Sequence, residues 1–417
     1  MIRILKSTDL GRILTRRAAR MTGAEAIVRP ILEAVRKRGD RGLMEYARKF
    51  DGLTRKSVRV PASELKAAAS RLSPRFISAV EEAAHNVRRY AAKQLPKEST
   101  GTYGPGHKLG QIVRPLDTVG AYIPAGRYPL PSTLLMTAVP AQVAGVANIC
   151  VACPKAVDEV YGVAHHLGLE QVFQMGGAQA IAAFAYGTKT VPRADRIVGP
   201  GNIYVAAAKR LLAGEVGIDF VAGPTEILII AADGTVADAR FLAADMLAQA
   251  EHDTDASAIL LTTSRKLAIQ VAAEIELQLR TLPTAAVARQ AIDKNSAIIV
   301  VDSLDEAVEL SNRFAPEHLA IYHEELIPKI RHAGSIFVGA FSPEAAGDYA
   351  SGPNHVLPTN GVARLRGGLS AADYVKVISV QQLDARALRK LAPAVTTLAR
   401  AEGLEAHARS VEVRLNA

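Results

Sequence analysis

Between residues 120 and 338 the chain repeats one pattern: a short aliphatic run of strand length, a turn, then a segment of helix length. A helix that carries the chain from the end of one strand back to the start of the next makes the two strands parallel. Ile149-Cys150-Val151, Val172-Phe173, Arg196-Ile197-Val198 and residues 218–221 read as strands, with helices over 157–166, 178–186 and 204–212. A second series has strands near 227–230, 258–261, 297–301 and 336–338. The rhythm predicts an α/β protein of two Rossmann-like, incomplete, doubly wound domains, one inserted in the other. The inserted domain is 121–225. The first domain is 17–120 together with 226–368. Residues 1–16 are a small, helical N-terminal extension, and 369–417 a charged, helical C-terminal one. Over 24–95 Ile27, Ile31, Val35, Leu43 and Tyr46 sit near helical spacing, and Ser73-Pro74 opens a helix that turns Ile77, Val80 and Val87 inward.

Such a fold needs a large core. The 417 residues are 49% hydrophobic but only 5% aromatic, with no Trp, so that core rests on Val, Ile, Leu and Ala. The formal net charge is +9, yet the basic residues are scattered along helices and not interleaved with aromatics. That reads as a solvated surface and not as a nucleic-acid face. Arg3, Lys6, Asp9 and Arg12 interrupt the first twenty residues, which excludes a secretory signal there, and no long apolar run could span a membrane. The expectation is a cytoplasmic protein without nucleic-acid or membrane partners. Cys150 and Cys153 lack the second pair of a zinc ribbon, and on a strand they point to opposite faces as small apolar residues.

Chemistry-bearing residues cluster in a few stretches. Gln249 and His252 share one face at the end of an alanine-rich helical segment, and both can offer a lone pair to a cation. Ala-Pro-Glu317-His318-Leu sets a carboxylate beside an imidazole, suited to acid–base work if a turn brings both to one cavity. Residues 347–358 form a glycine- and proline-rich loop holding Asp348 and His355, and Glu402 and His407 stand near the C-terminus. Gln249, His252, Asp348 and His407 would make a four-ligand set suited to Zn²⁺. Gly-x-Gly-x-x-Gly is absent. Three small-residue turns, 122–126, 175–179 and 199–202, each precede a helix start and could bring backbone N–H groups to a phosphate.

Taken together, Gln-Ala-Glu-His (249–252), Ala-Pro-Glu-His-Leu (315–319), Gly-Asp-Tyr-Ala-Ser-Gly-Pro-Asn-His-Val-Leu-Pro-Thr (347–359), Tyr-Ile-Pro-Ala-Gly-Arg (122–127) and Val-Gly-Pro-Gly-Asn (198–202) resemble the histidinol dehydrogenases over nearly the whole chain. The resemblance implies NAD-dependent oxidation of L-histidinol, through the aldehyde, to L-histidine. It implies one zinc ion per subunit on Gln249, His252, Asp348 and, from the other subunit of an intertwined homodimer, His407. It implies Glu317 as activator of water and His318 as proton acceptor. NAD contacts would fall to Tyr122, Gln179 and Asn202. Substrate contacts would fall to Thr225, Gln249, His252, His318, Asp348, His355, Glu402 and His407. Two residues depart from the family pattern: Thr225 stands where Ser is usual, and Ala125 where Gly is frequent. The alternative is a related zinc/NAD dehydrogenase of another small polar primary alcohol.

Overall fold

The structure, a computed structural model, describes residues 2–7, 21–125, 128–221, 223–232 and 238–416. Much of the expected 1–16 extension, residues 17–20, and Gly126 and Arg127 of the first glycine turn lie outside the described residues. After strand β1 (Arg3–Lys6) come the helices Met21–Arg38, Asp40–Asp51, Ala62–Ala69 and Pro74–Gln94. Strands β2 (Ser99–Gly104) and β3 (His107–Pro115) pair antiparallel. Five parallel strands follow: β4 (Thr118–Tyr122), β5 (Asn148–Cys153), β6 (Gln171–Gln174), β7 (Arg196–Val198) and β8 (Gly217–Ile218). The second parallel series is β9 (Glu226–Ile230), β10 (Ser257–Thr262), β11 (Ala297–Val300), β12 (His318–Ile321) and β13 (Ser335–Val338). Strand β14 (Val375–Leu383) and the helices Ala385–Ala401 and Glu405–Leu415 end the chain.

The two parallel sheets are wound alike. One has the order β6-β5-β4-β7-β8; the other runs β11-β10-β9-β12-β13, with β1 added beyond β11. Each starts in its middle, adds two strands on one side, then crosses and adds two on the other. The winding reverses between β4 and β7, and again between β9 and β12. Strands β4, β9 and β10 are buried along their whole length, as sheets covered on both faces require. Cys150 and Cys153 point into the cores on opposite faces of β5, both as free thiols, and burial pushes each up to about 11. Among the described residues no helix is long and apolar enough to cross a membrane.

The structure corrects three expectations. The N-terminal extension is not helical where it is described: Arg3–Lys6 pairs in parallel register with β11. The C-terminal extension is not purely helical either, since β14 pairs antiparallel with β3. Its partner lies more than 250 residues earlier, so no local pattern announces the pairing. Finally, the helices of residues 21–94 pack on the five-stranded sheet. Val28, Val35 and Leu43 join Cys150 and Phe173, while Leu65, Val80 and Val87 join Val119 and Val163. By packing, residues 21–221 form one body, interposed in the chain between β1 and β9. Ile27 faces solvent, whereas Ser73 caps its helix as expected, accepting from the Phe76 N–H.

A buried ion pair fixes the turn after β7. Lys209 Nζ donates to Asp219 Oδ1 and to the Gly199 carbonyl, each at 2.6 Å, and Asp219 Oδ2 accepts from Gly199 N at 2.8 Å. Gly199 has φ +106°, and a Cβ there would meet the Tyr122 carbonyl oxygen at 2.2 Å, so the turn tolerates no side chain. Replacing Lys209 by Met leaves Asp219 buried without its partner. We expect a stability loss of ~3–5 kcal/mol in urea unfolding; a loss under ~1 kcal/mol would show that the turn is held by other contacts.

Candidate active site

One cavity of about 1280 Å³ lies between the two bodies. That exceeds the roughly 300–1,000 Å³ usual for a single small ligand. From the five-stranded unit it takes Pro124, which follows β4, and Pro200, Gly201 and Asn202, which follow β7. These are the carboxyl ends of strands at a winding reversal, where ligands of open α/β sheets bind. From the six-stranded unit it takes Thr225, His252, Glu317, His318, Asp348 and His355. Thr225 precedes β9 and His318 begins β12, so this unit presents its amino edge.

Local backbone geometry aims these side chains. Ala315 takes the left-handed conformation (φ 53°) that ends helix Leu304–Phe314, and Pro316 follows. Strand alternation therefore begins only after Glu317, and Glu317 Oε2 comes within 3.7 Å of His318 Nδ1. Gln249 and His252 sit at the C-terminal turn of helix Ala239–Ala250, where His252 N donates to the Gln249 carbonyl. Helix Glu344–Tyr349 opens at Pro343 and places Glu344 and Asp348 one turn apart on the same face.

His318 is the hub, 3% exposed. Its Nδ1 faces the Glu226 carbonyl at 3.2 Å, and its Nε2 faces Asp348 Oδ1 at 3.4 Å, out of line for a hydrogen bond, so this buried nitrogen has no partner of its own. Asp348 Oδ2 lies 3.9 Å from His252 Nε2. Thr225 Oγ1 donates to Glu317 Oε2 (2.6 Å), which also accepts from Glu226 N (2.9 Å). The Gln249 amide reaches Thr225 on one side and Glu344 on the other. His355 Nδ1 donates to the Asp348 carbonyl at 2.7 Å, which leaves Nε2 to accept from Thr133 at 3.3 Å.

These charges are unbalanced. Glu317, Glu344 and Asp348 are buried, and among the described residues their ion-pair partners are histidines, not lysine or arginine. Burial raises the Glu317 carboxyl, and it raises Glu344 well above the usual range. Burial would lower His318, but Glu344, Glu317 and Asp348 outweigh it and hold the imidazole well above its ordinary value. Burial would likewise raise Asp348, but His318 outweighs it and lowers that carboxyl. Desolvation keeps His252 and His355 below theirs. His252, Glu344 and Asp348 offer ligand atoms all within 4.8 Å of one another. Buried carboxylates without basic partners, a histidine nitrogen aimed at one of them, and neutral imidazoles fit a divalent cation.

Seven expected residues thus converge: Thr225, Gln249, His252, Glu317, His318, Asp348 and His355. Asn202 lines the cavity, with Oδ1 capping helix Ile203–Leu212. Tyr122 and Gln179 are buried and do not line it. Asp51 Oδ2 accepts from Gly176 N and Gln179 Nε2, both at 2.9 Å, and the Tyr122 hydroxyl accepts from Gly177 N. The 175–179 turn, expected to cradle phosphate, is therefore occupied by the protein's own carboxylate. Glu402 and His407 are exposed on the C-terminal helices and do not line the cavity of their own chain. Sequence reasoning missed Glu344 and Thr133. Glu344 stands four residues before Asp348, a helical spacing hidden in a segment that reads as loop.

The family model described as histidinol dehydrogenase matches residues 14–415. The histidinol dehydrogenase of Geobacter sulfurreducens is 48% identical over 401 residues, 94% of this chain and 93% of the relative. That of Synechococcus sp. is 47% identical over 400 residues, 94% of this chain and 92% of the relative. The crystal structure of histidinol dehydrogenase from Elizabethkingia anophelis superimposes with a TM-score of 0.95 at 36% identity, covering 100% of this chain and 98% of that one.

Asp245, one turn before Gln249, adds to the acidity, and burial pushes it up to about 6. The folded state then holds this proton more tightly than the unfolded chain, so stability falls as pH rises from about 4 to 6, and the penalty is complete above that. With chelator present, Asp245→Asn is expected to stabilise the protein at pH 7.5 by on the order of 1–3 kcal/mol, and not at pH 4. Equal thermal midpoints at pH 7.5 would refute this.

Proposed function

Because the chain belongs to the histidinol dehydrogenase family of NAD-dependent oxidoreductases, we propose that this cavity oxidises L-histidinol, through L-histidinaldehyde, to L-histidine, with one zinc ion held by Gln249, His252, Asp348 and His407 of the partner subunit. The observation that carries the reading is the buried carboxylate cluster, without lysine or arginine among the described residues, which suits a metal ion and a cationic amino alcohol together. When bound, the cation polarises the substrate oxygen and offsets the carboxylates around His318, and NAD⁺ takes the hydride.

The chain's own residues move protons and hold the substrate. His318 Nε2, unpartnered and facing Asp348, accepts the hydroxyl proton as hydride leaves the same carbon. Glu317, held by Thr225 and Glu226 N, takes a proton from the water that adds to the aldehyde, which supplies the second oxygen of the product. His355, fixed as the Nδ1–H tautomer, and Thr225 line the substrate's place, and Glu402 of the partner subunit meets its cationic end. The Thr225 hydroxyl serves as the expected Ser would. Asn202 contacts NAD at the carboxyl edge of β7, while Tyr122 and Gln179, both bound at the 175–179 turn, shape the floor beneath it.

The dimer follows from the C-terminal arm. Val377, Ile378 and Val380 on β14, with Leu398 and Val413 on the two helices, are exposed apolar residues that call for cover. A second copy covers them and brings His407 to the cavity. The unpaired cysteines fit a reducing cytoplasm.

Purified protein is expected to contain about one zinc per chain and to form two NADH per L-histidinol; turnover without zinc would sink the metal assignment. His318→Asn should lower kcat by about 10²–10⁴-fold with zinc content unchanged, and near-normal turnover would remove it from proton transfer. Mixing inactive His318→Asn and His407→Ala chains under conditions of subunit exchange should restore activity, because one site of each hybrid then carries neither change. No recovery despite demonstrated hybrids would show that His407 acts within its own chain or not at all.

A further inference from the structure

Glu344 is 2% exposed, and among the described residues its carboxylate meets no lysine, arginine or hydroxyl. Its close neighbour is the Gln249 amide, at 2.8 and 3.1 Å from its two oxygens, with His318 Nδ1 at 3.8 Å. Gln249 is fully buried, so no water competes for that amide. An amide can present either its oxygen or its nitrogen to a neighbour. Against the ionised carboxylate, the form a bound cation favours, the oxygen would set acceptor against acceptor, whereas the nitrogen donates to both Glu344 oxygens. The amide oxygen is thereby turned the other way, to 2.8 Å from Thr225 Oγ1, a residue of the cavity wall. The Thr225 hydroxyl lies 2.6 Å from Glu317 Oε2 and is shared between the two acceptors. An amide oxygen has two lone pairs, so even while accepting from Thr225 the Gln249 oxygen keeps one to offer.

We infer that Glu344 is a positioning residue for the metal: it fixes the Gln249 amide so that oxygen, the atom that binds a divalent cation, is the one presented to the site. The inference rests on Gln249 and His252 being cation ligands. Glu344 acts through Gln249 and is not counted as a ligand. Its place four residues before Asp348 on one short helix means that a single rigid element sets both a ligand carboxylate and the orientation of a second ligand. Glutamine at 344 could itself turn either way, and the amide at 249 would lose its preference.

The test is competition of the metal-free protein with a chromophoric chelator for Zn²⁺ and for Mn²⁺. Glu344→Gln should weaken binding of both by about 10- to 100-fold, the range seen when a partner of a metal ligand is removed, while the thermal midpoint of the metal-free protein stays within a few degrees. In a Gln249→Ala background the same change should cost no further affinity. If Glu344→Gln fails to fold, Glu344→Met keeps the volume and is put through the same cycle. Unchanged affinity, or losses that add in the double variant, overturns the inference. His252→Ala is the control for the premise: if it retains full metal affinity the ligand assignment itself fails, and if it loses the metal while Glu344→Gln does not, only the role of Glu344 fails.

Discussion

Glu317, Glu344 and Asp348 are held out of water around one imidazole, with no lysine or arginine paired to them among the described residues. Taking a carboxylate out of water is costly unless something meets its charge. Here the partial answers are local: two donors on Glu317, the amide against Glu344, and His318 facing all three acids. The arrangement persists because the frame around it is rigid. Strand β9 is buried at every position, and Phe337 stands 5.9 Å from the His318 ring. A cluster so acidic and so dry selects cationic guests, and it has to be built on strands and helix ends that cannot relax around the charge.

The frame solves a second problem, that of bringing two different edges together. The five-stranded sheet offers the carboxyl ends of β4 and β7, where small turns leave room for a large ligand. The six-stranded sheet offers its amino edge, where residues just before β9 and at the start of β12 can carry acids and bases. The two sheets share one winding, yet they face the cavity with opposite ends. That is why the glycine turns and the titratable residues occupy separate halves of the sequence and meet only in the fold.

Much of this was legible in the residues. The parallel series could be read because β5, β9, β10 and β11 are near-continuous aliphatic runs separated by helical segments. Gln249 with His252, and Glu317 with His318, could be read because they are close in the chain. What stayed hidden depended on distance. Strand β14 pairs with a strand more than 250 residues away. The short helix Glu344–Tyr349 lies among glycines and prolines that read as loop, so Glu344 gave no signal. The helices of residues 21–94 have the apolar periodicity of any buried helix, and periodicity does not say which sheet they cover. Asp51 against the 175–179 turn is likewise a tertiary fact, since a glycine-bounded helix start looks the same whether an outside phosphate or an internal carboxylate fills it.

Strand β1 carries a consequence for how the molecule comes into being. Arg3 pairs beside Ala297, so β1 must wait for almost three hundred residues of synthesis before its partner exists. Residues 21–221 must wait as well, because β3 pairs with β14 and because Leu369 and Tyr374 enter the core around Val119. The six-stranded sheet takes β1 onto its edge beside β11, while β12 and β13 complete the opposite side. Closing loops of that span is slow in entropic terms, and the cavity between the two bodies, with its acidic cluster, can stand only once both sheets exist.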